Sequence, residues 1–336
     1  MITRPLRWAI TLTILCLLAL SLFACSPTDQ DEIQTIRVVE VTHSLFYAPQ
    51  YIAMEKGFFQ DEGIQIELLN GAGGDKTMTT LLSGEADIIL MGQEGAVYVT
   101  AREANEPIVA FAQLTQRDGS FLVARTQTST FNWSDLRNQT LLGQRKGGMP
   151  QMVSEHVQRI NGLHPHKDVS IIQNIEFQHL GTAFASGTGD YVQLFEPIAS
   201  QLEEEGKGYV VASFGEETQY LPYTVYLSKQ SWLQSERELA VGFTRALYRA
   251  QQWMTKHSAE EIADIVAPQF PETDPTIVEK VIQRYKLQDV WAPTPVIEKE
   301  EYDHMIKIMN EAGELPKAVP YESVTNSEIA EEVIKK

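Results

Sequence analysis

Two successive series of short apolar runs, each run separated from the next by a segment of helical length, constrain this chain more than any other feature. In the first series Ile36–Thr42, Ile64–Leu69, Ala86–Met91 and Pro107–Gln113 read as strands, with helices over 51–59, 75–82 and 95–103 between them. Strand and helix alternating at this spacing predict a parallel sheet with right-handed crossovers. A second series starts near Thr126, with strands Thr140–Gly143, Val169–Ile172, Asp190–Leu194 and Tyr209–Ser213 and helices around 150–160, 177–186 and 196–205. Tyr223–Ser228 reads as one further strand, and the remainder of the chain is helical. Leu239, Phe243, Ala246, Leu247, Ala250 and Trp253 recur at three and four, placing one buried face on a long helix.

The ends and the composition fit an exported chain. Arg4 and Arg7 precede an apolar run, Trp8 to Ala24, which ends in Leu22-Phe-Ala-Cys25. A basic flank, an apolar core and a small residue before the cut describe a secretory signal over 1–24. Cys25 is then the lipidation site and mature N-terminus, and 25–34 a polar tether. About 310 residues remain, more than one core usually holds, so two lobes are expected. The first series lacks closing helices of its own, so the C-terminal helices are expected to return to it. Lobe 1 is then 35–122 plus 226–336 and lobe 2 is 123–225, with hinge crossings near Phe121–Arg125 and Tyr223–Ser228. The formal charge of −18 argues against nucleic acid and against electrostatic adhesion to anionic lipid. The two cysteines, Cys16 and Cys25, leave no mature disulfide.

Three stretches in order carry a family resemblance: "APQYIAMEKGFFQDEGIQIELL" (48–69), "GGDKTMTTLLSGEADIILMG" (73–92) and "FASGTGDYVQLFEPIASQLEEEG" (184–206). They resemble the SsuA/THI5-like, or NMT1-like, solute receptors, in their lipoprotein branch. The resemblance implies a type II periplasmic-binding-protein-like α/β fold: two Rossmann-like lobes joined by two crossings, closing by hinge motion on a small solute. It also implies an ABC importer as partner, with permease subunits and a cytoplasmic ATPase. The expected location is the extracytoplasmic face of the cell membrane, held by the lipid anchor. No cofactor is expected.

In open parallel sheets ligands sit beyond the carboxyl ends of strands, where helix N-termini present free N–H groups. Ser44, Phe46 and Tyr47 meet that description as a rim; the aromatic pair equally suits a hydrophobic staple over Pro49. Tyr47 stands where many family members carry His. Gly74, Asp75 and Lys76 lack phosphate-loop spacing, and Asp75 equally suits a helix cap. Gln93 and Glu94 follow the buried strand, and Glu94 suits an amino-bearing ligand or the helix dipole. Thr115, Gln116 and Asp118 precede the first crossing as ligand contacts or turn formers. Lys146, Gly147, Gly148 and Met149 form the second lobe's anion-capable loop, and Asp190, Phe195 and Glu196 the opposite wall.

Scattered histidines offer no metal spacing, and no nucleophile elbow or mature thiol supports hydrolysis. The expectation is a receptor, not an enzyme, for an aromatic nitrogenous solute such as a pyrimidine precursor. Phe46, Tyr47 and Phe195 supply its faces, and Glu94 and Asp118 accept from its amino groups. A sulfonate or other small anion is the runner-up, favoured by Lys146. A pyrimidine-precursor synthase is the alternative from another class.

Overall fold

The computed structural model describes residues 33–335; the signal, tether and Cys25 expectations lie outside them, apart from the last residues of the tether. Ten strands among these residues form two five-stranded sheets. They are β1 (Gln34–Glu40), β2 (Ile64–Asn70), β3 (Ile88–Met91), β4 (Ile108–Thr115), β5 (Ser120–Ala124), β6 (Thr140–Leu142), β7 (Ser170–Ile172), β8 (Tyr191–Phe195), β9 (Tyr209–Ser213) and β10 (Thr224–Lys229). The first sheet has the order β2-β1-β3-β10-β4, and the second β7-β6-β8-β5-β9.

Neither sheet is wholly parallel, which corrects the sequence expectation. β1 pairs in parallel with β2 and β3, but β10 runs antiparallel between β3 and β4. In the second sheet β5 runs antiparallel between β8 and β9. The two exceptions are the segments that read as hinge crossings. Each has entered the sheet of the opposite half as a strand, because a segment buried on both faces must find a backbone ladder. The crossings themselves are therefore Gln116–Gly119 and Phe214–Tyr223, and a boundary after residue 122 would cut β5.

The two crossings lie side by side. Leu221 N–H donates to the Gln116 carbonyl and Tyr223 N–H to the Thr115 carbonyl. Thr115 and Thr224 hydroxyls meet at 2.5 Å, so Thr115 joins the crossings and does not stand at a ligand rim. A Cβ on Gly215 would overlap the Asp118 carbonyl oxygen, and one on Gly119 would overlap the Phe46 ring.

The helices after β10 do more than close the first lobe. Arg237–Met254 packs on Ala48–Glu55 and Phe58–Asp61, burying the face that its periodicity marked: Phe243, Ala246, Leu247 and Ala250. Pro275–Leu287 instead reaches Ile198–Glu204 of the second lobe, and Lys299–Glu311 reaches Met149–Ile160. Arg284 pairs with Glu196 at 2.5 Å and Glu203 at 2.8 Å, and His156 with Glu311 at 2.7 Å, so these helices strap the lobes together.

The close approach at the crossings has a measurable consequence. Gly215→Ala should lower stability by about 1–3 kcal/mol, because the obstacle is backbone and cannot rotate away. An unchanged denaturant midpoint would show that the two crossings are not in contact.

Candidate functional site

The carboxyl ends of β1, β3 and β4 face those of β6 and β8 across the lobe junction. Ser44 caps the turn after β1: its Oγ accepts from Phe46 N–H at 3.2 Å and donates to the Glu196 carbonyl of the second lobe at 3.0 Å. Tyr98 donates from its hydroxyl to the Gly147 carbonyl at 2.9 Å. Glu94 opens the helix after β3, and its Oε1 accepts from Met149 N–H at 3.1 Å. One carboxylate of the first lobe thus caps a helix N-terminus of the second.

Asp118 lies on the first crossing. Its Oδ1 accepts from both Ser120 N–H (2.6 Å) and Ser120 Oγ (2.5 Å), and that hydroxyl in turn accepts from Gln193 Nε2 at 2.8 Å. Gln193 Nε2 also donates to the Pro150 carbonyl, which fixes the amide with its oxygen outward from this chain of bonds. Tyr223, the last residue of the second crossing, feels the charges of Asp118 and Glu94 and neighbours Tyr47; burial and these charges hold its hydroxyl well above its ordinary pKa. Burial also raises Tyr47, with Glu40 and Glu94 adding to it.

Four buried polar atoms in this region have no hydrogen-bond partner: Glu94 Oε2, Asp118 Oδ2, Gln193 Oε1 and the Tyr223 hydroxyl. The Tyr223 hydroxyl lies close enough to Asp118 to act on it as a hydrogen-bond partner and oppose the rise in its pKa, so these two groups answer each other in part. Among the described residues neither carboxylate forms an ion pair. Burial pushes Glu94 up to about 7 against the pull of the Met149 N–H, and Asp118 up to about 6 against its bonds to Ser120. Leaving such groups unmatched is costly, which makes this the candidate site.

The structure sorts the residues singled out in the sequence. Ser44, Phe46, Tyr47, Glu94, Asp118, Met149, Phe195 and Glu196 converge at the junction. Phe46 is the hub, its ring 5.4–5.8 Å from those of Tyr47, Phe195, Tyr223 and Tyr285. It is a wedge over Gly119 more than an open face. Glu196 spends its carboxylate on Ser200 and on Arg284 of the C-terminal helices, and its carbonyl accepts from Ser44.

Other expectations are displaced. Gly74, Asp75 and Lys76 follow β2, an edge strand, and the two charged residues are outside the buried set; Gly73, not Asp75, occupies the cap position. Lys146 is 73% exposed and pairs with Glu314 at 3.4 Å, while Gly147 and Gly148 shape the turn into the helix. Asp190 precedes β8 and holds Thr140 N–H, at the end of the sheet opposite the junction. Gln93 bonds Thr325 and Gln116 the Asp289 carbonyl, both serving the C-terminal segments. Tyr223, Gln193, Ser120 and Tyr98 were missed. His43 is held by Glu40 at 2.6 Å and the Gln269 carbonyl at 2.8 Å, beside Tyr51. A separate groove of about 440 Å³ in the second lobe, lined by Trp133, Asn161 and Glu217, contains neither carboxylate.

A two-lobed α/β chain with orphaned polar atoms buried where its lobes meet has the architecture of a cleft-binding protein. The chain belongs to the NMT1/THI5-like family, whose sequence pattern matches residues 46–261. It is 51% identical to the Bacillus subtilis (strain 168) protein YtlA, which is named as a binding protein, over 93% of this chain and 94% of that one. Two solved structures share the fold. The alkanesulfonate-binding protein SsuA from Xanthomonas axonopodis pv. citri, bound to MOPS, is 14% identical with a TM-score of 0.71, covering 87% of this chain and 98% of its own. The periplasmic nitrate-binding protein NrtA from Synechocystis PCC 6803 is 18% identical with a TM-score of 0.72, covering 90% and 89%.

The raised Glu94 gives a sign that can be checked. Its folded pKa of about 7 exceeds the ordinary 4.5, so the folded state binds the extra proton and loses stability as pH rises from 4.5 to 7. Glu94→Gln should therefore stabilise the ligand-free protein by about 1–3 kcal/mol at pH 8 and by little at pH 4. Urea unfolding at the two pH values checks it.

Proposed function

We propose that this protein is the exported receptor of an ABC importer and captures a small, flat, nitrogen-bearing aromatic solute in the cleft between its lobes. Family membership supports the receptor class, as do the relative named as a binding protein and the nitrate- and alkanesulfonate-binding proteins that share the fold. The observation that carries the solute is the set of orphaned acceptors on Glu94, Asp118 and Gln193 beside the rings of Tyr47 and Tyr223. A pyrimidine precursor with exocyclic amino groups answers both, its N–H donors meeting the acceptors and its face the aromatic walls.

The anion alternative finds no support at this place. A sulfonate or nitrate would meet two buried carboxylates. Arg117 donates from one terminal nitrogen to the Gly215 and Thr218 carbonyls and keeps a buried, unpartnered Nε, while Arg284 is held by Glu196 and Glu203. Lys146 lies outside. The synthase alternative needs an available imidazole, and the histidine nearest the rim, His43, is engaged on both ring nitrogens.

The lobes, 35–119 with 224–336 and 120–213, close about the two crossings. A solute that touches both lobes favours closure, because only interactions stronger in the closed form than in the open one shift the equilibrium. Ser44, Glu94 and Tyr98 already reach across, each to a backbone atom of the second lobe.

Mass spectrometry of small molecules released from the purified protein tests the reading. A flat nitrogenous compound is expected, and Tyr47→Ala should weaken its binding by tenfold or more, equivalent to about 1.4 kcal/mol. Release of a sulfonate or nitrate, or undiminished binding by Tyr47→Ala, would overturn the solute assignment. The membrane attachment is tested separately: Cys25→Ala should abolish incorporation of labelled fatty acid and leave the chain unanchored, and continued labelling would exclude Cys25 as the lipid site.

A further inference from the structure

The helices that follow β10 touch the second lobe at two places, and the order of its sheet sets where those places lie. Met149–Ile160 carries the chain from β6 to β7, and Ile198–Glu204 carries it from β8 to β9. In the order β7-β6-β8-β5-β9 these steps run in opposite directions, so right-handed crossovers put the two helices on opposite faces of the sheet. Leu180–Ala185 accordingly packs on Ile198–Glu204, and Phe214–Glu217 on Met149–Ile160. Pro275–Leu287 meets Ile198–Glu204 on one face, and Lys299–Glu311 meets Met149–Ile160 on the other. The second lobe is held from both sides.

Both contacts are ionic. On one face Arg284 reaches Glu196 Oε1 at 2.5 Å and Glu203 Oε2 at 2.8 Å, while Lys280 lies 3.3 Å from Glu203 and 3.2 Å from Glu204. Burial works against a charged Glu203, but the bond to Arg284 and its charge, with the Val210 N–H and Lys280, hold the carboxyl below the ordinary carboxylate range. On the other face His156 Nδ1 meets Glu311 Oε2 at 2.7 Å, with the His304 ring 5.9 Å from the His156 ring. Both helices are rooted in the first lobe. Ala259–Val266 packs on Pro275–Leu287 and on Ala48–Glu55, and Glu301 accepts from Gln113 Nε2 of β4 at 2.9 Å.

Two backbone N–H groups of the second lobe report on whether the halves are together. Met149 N–H donates to Glu94 Oε1 and Glu196 N–H to the Tyr285 hydroxyl at 3.3 Å, in each case a side chain from across the junction. Parting the lobes frees both.

We propose that Pro275–Leu287 and Lys299–Glu311 are the two arms of one clasp, whose Arg284 and Glu311 contacts set how often the solute-free lobes part. A swing of the second lobe toward either face breaks the arm on the other, so opening is a single event that both arms oppose. The inference concerns the chain before any solute binds and does not depend on which solute that is.

Hydrogen exchange read by mass spectrometry, on the solute-free full-length chain in detergent, tests the clasp at the Met149 and Glu196 amides. Glu203→Ala and Glu311→Ala each remove one contact from one arm, and neither leaves a buried carboxylate without its partner. Each should speed exchange at both amides by about threefold, and the double variant by about tenfold, while the amides of β1 and β3 keep their wild-type rates. The decisive reading is at the distant amide: Glu311→Ala must loosen Glu196, and Glu203→Ala must loosen Met149. Acceleration of each amide by only the nearer variant would overturn the single clasp, leaving two local contacts. Faster exchange in β1 and β3 by the same factor would make the pairs contributors to global stability instead, and unchanged exchange at both amides would show that the arms do not oppose opening.

Discussion

Each sheet of this protein is completed by a strand that arrives from the other half of the chain, and the rest of the structure depends on that exchange. β5 enters the second sheet directly from β4 of the first, and β10 returns from β9 to lie between β3 and β4. The two crossings are therefore anchored at both ends by sheet hydrogen bonds and held to each other by the Leu221 and Tyr223 N–H groups. They can bend but not slide. Residues on them, Asp118 and Tyr223 above all, are held at the junction from both sides. That makes the crossings a better position for a recognition group than a loop on either lobe alone.

The lobes meet through atoms that would otherwise lack partners. Ser44, Glu94 and Tyr98 each bond a backbone atom of the second lobe, and Tyr285 donates to the Gly119 carbonyl from the C-terminal side. Two of these acceptors, the Gly147 and Glu196 carbonyls, and the Met149 N–H lie at the carboxyl ends of β6 and β8, where helix starts leave backbone groups free. Side chains of the first lobe do for the second what a local cap would do elsewhere. The second lobe's helix Met149–Ile160 has no side-chain cap of its own, which is why a carboxylate from across the junction can serve it.

Much of this was legible in the sequence because strand and helix periods survive in short windows. The alternating elements and the long helix Arg237–Met254 follow from hydrophobic spacing alone. What was not legible depended on pairing. Ser120–Ala124 is apolar and short, and nothing in its composition distinguishes a buried antiparallel strand from a crossing between lobes. Lys146 and Asp75 looked like ligand contacts because they follow strands, but a loop after an edge strand, or a lysine within reach of Glu314, faces solvent. Asp190 failed for the opposite reason, since it precedes its strand. Tyr223 and Gln193 carry no local signal at all: one sits in a strand approach and the other inside a strand, and only the folded arrangement brings them to Asp118.

The His43 network shows how the same neighbourhood separates support from recognition. Glu40 is buried at the end of β1, but His43, Gln50 and Tyr51 all bond it, so its charge is fully matched inside the chain. Burial works against a charged His43, yet the bonds to Glu40 and the Gln269 carbonyl outweigh it and hold the imidazole above its ordinary value of 6.5. The stabilisation from that pair is complete below the ordinary value and fades as pH rises through the folded one. Glu94 lies in the same lobe junction with burial as great, and it has one bond from Met149 N–H. For a titratable group in a closed cleft, burial alone therefore says little. The distinguishing mark is whether the chain has supplied the partner: at Glu40 it has on both oxygens, while Glu94 Oε2 has none.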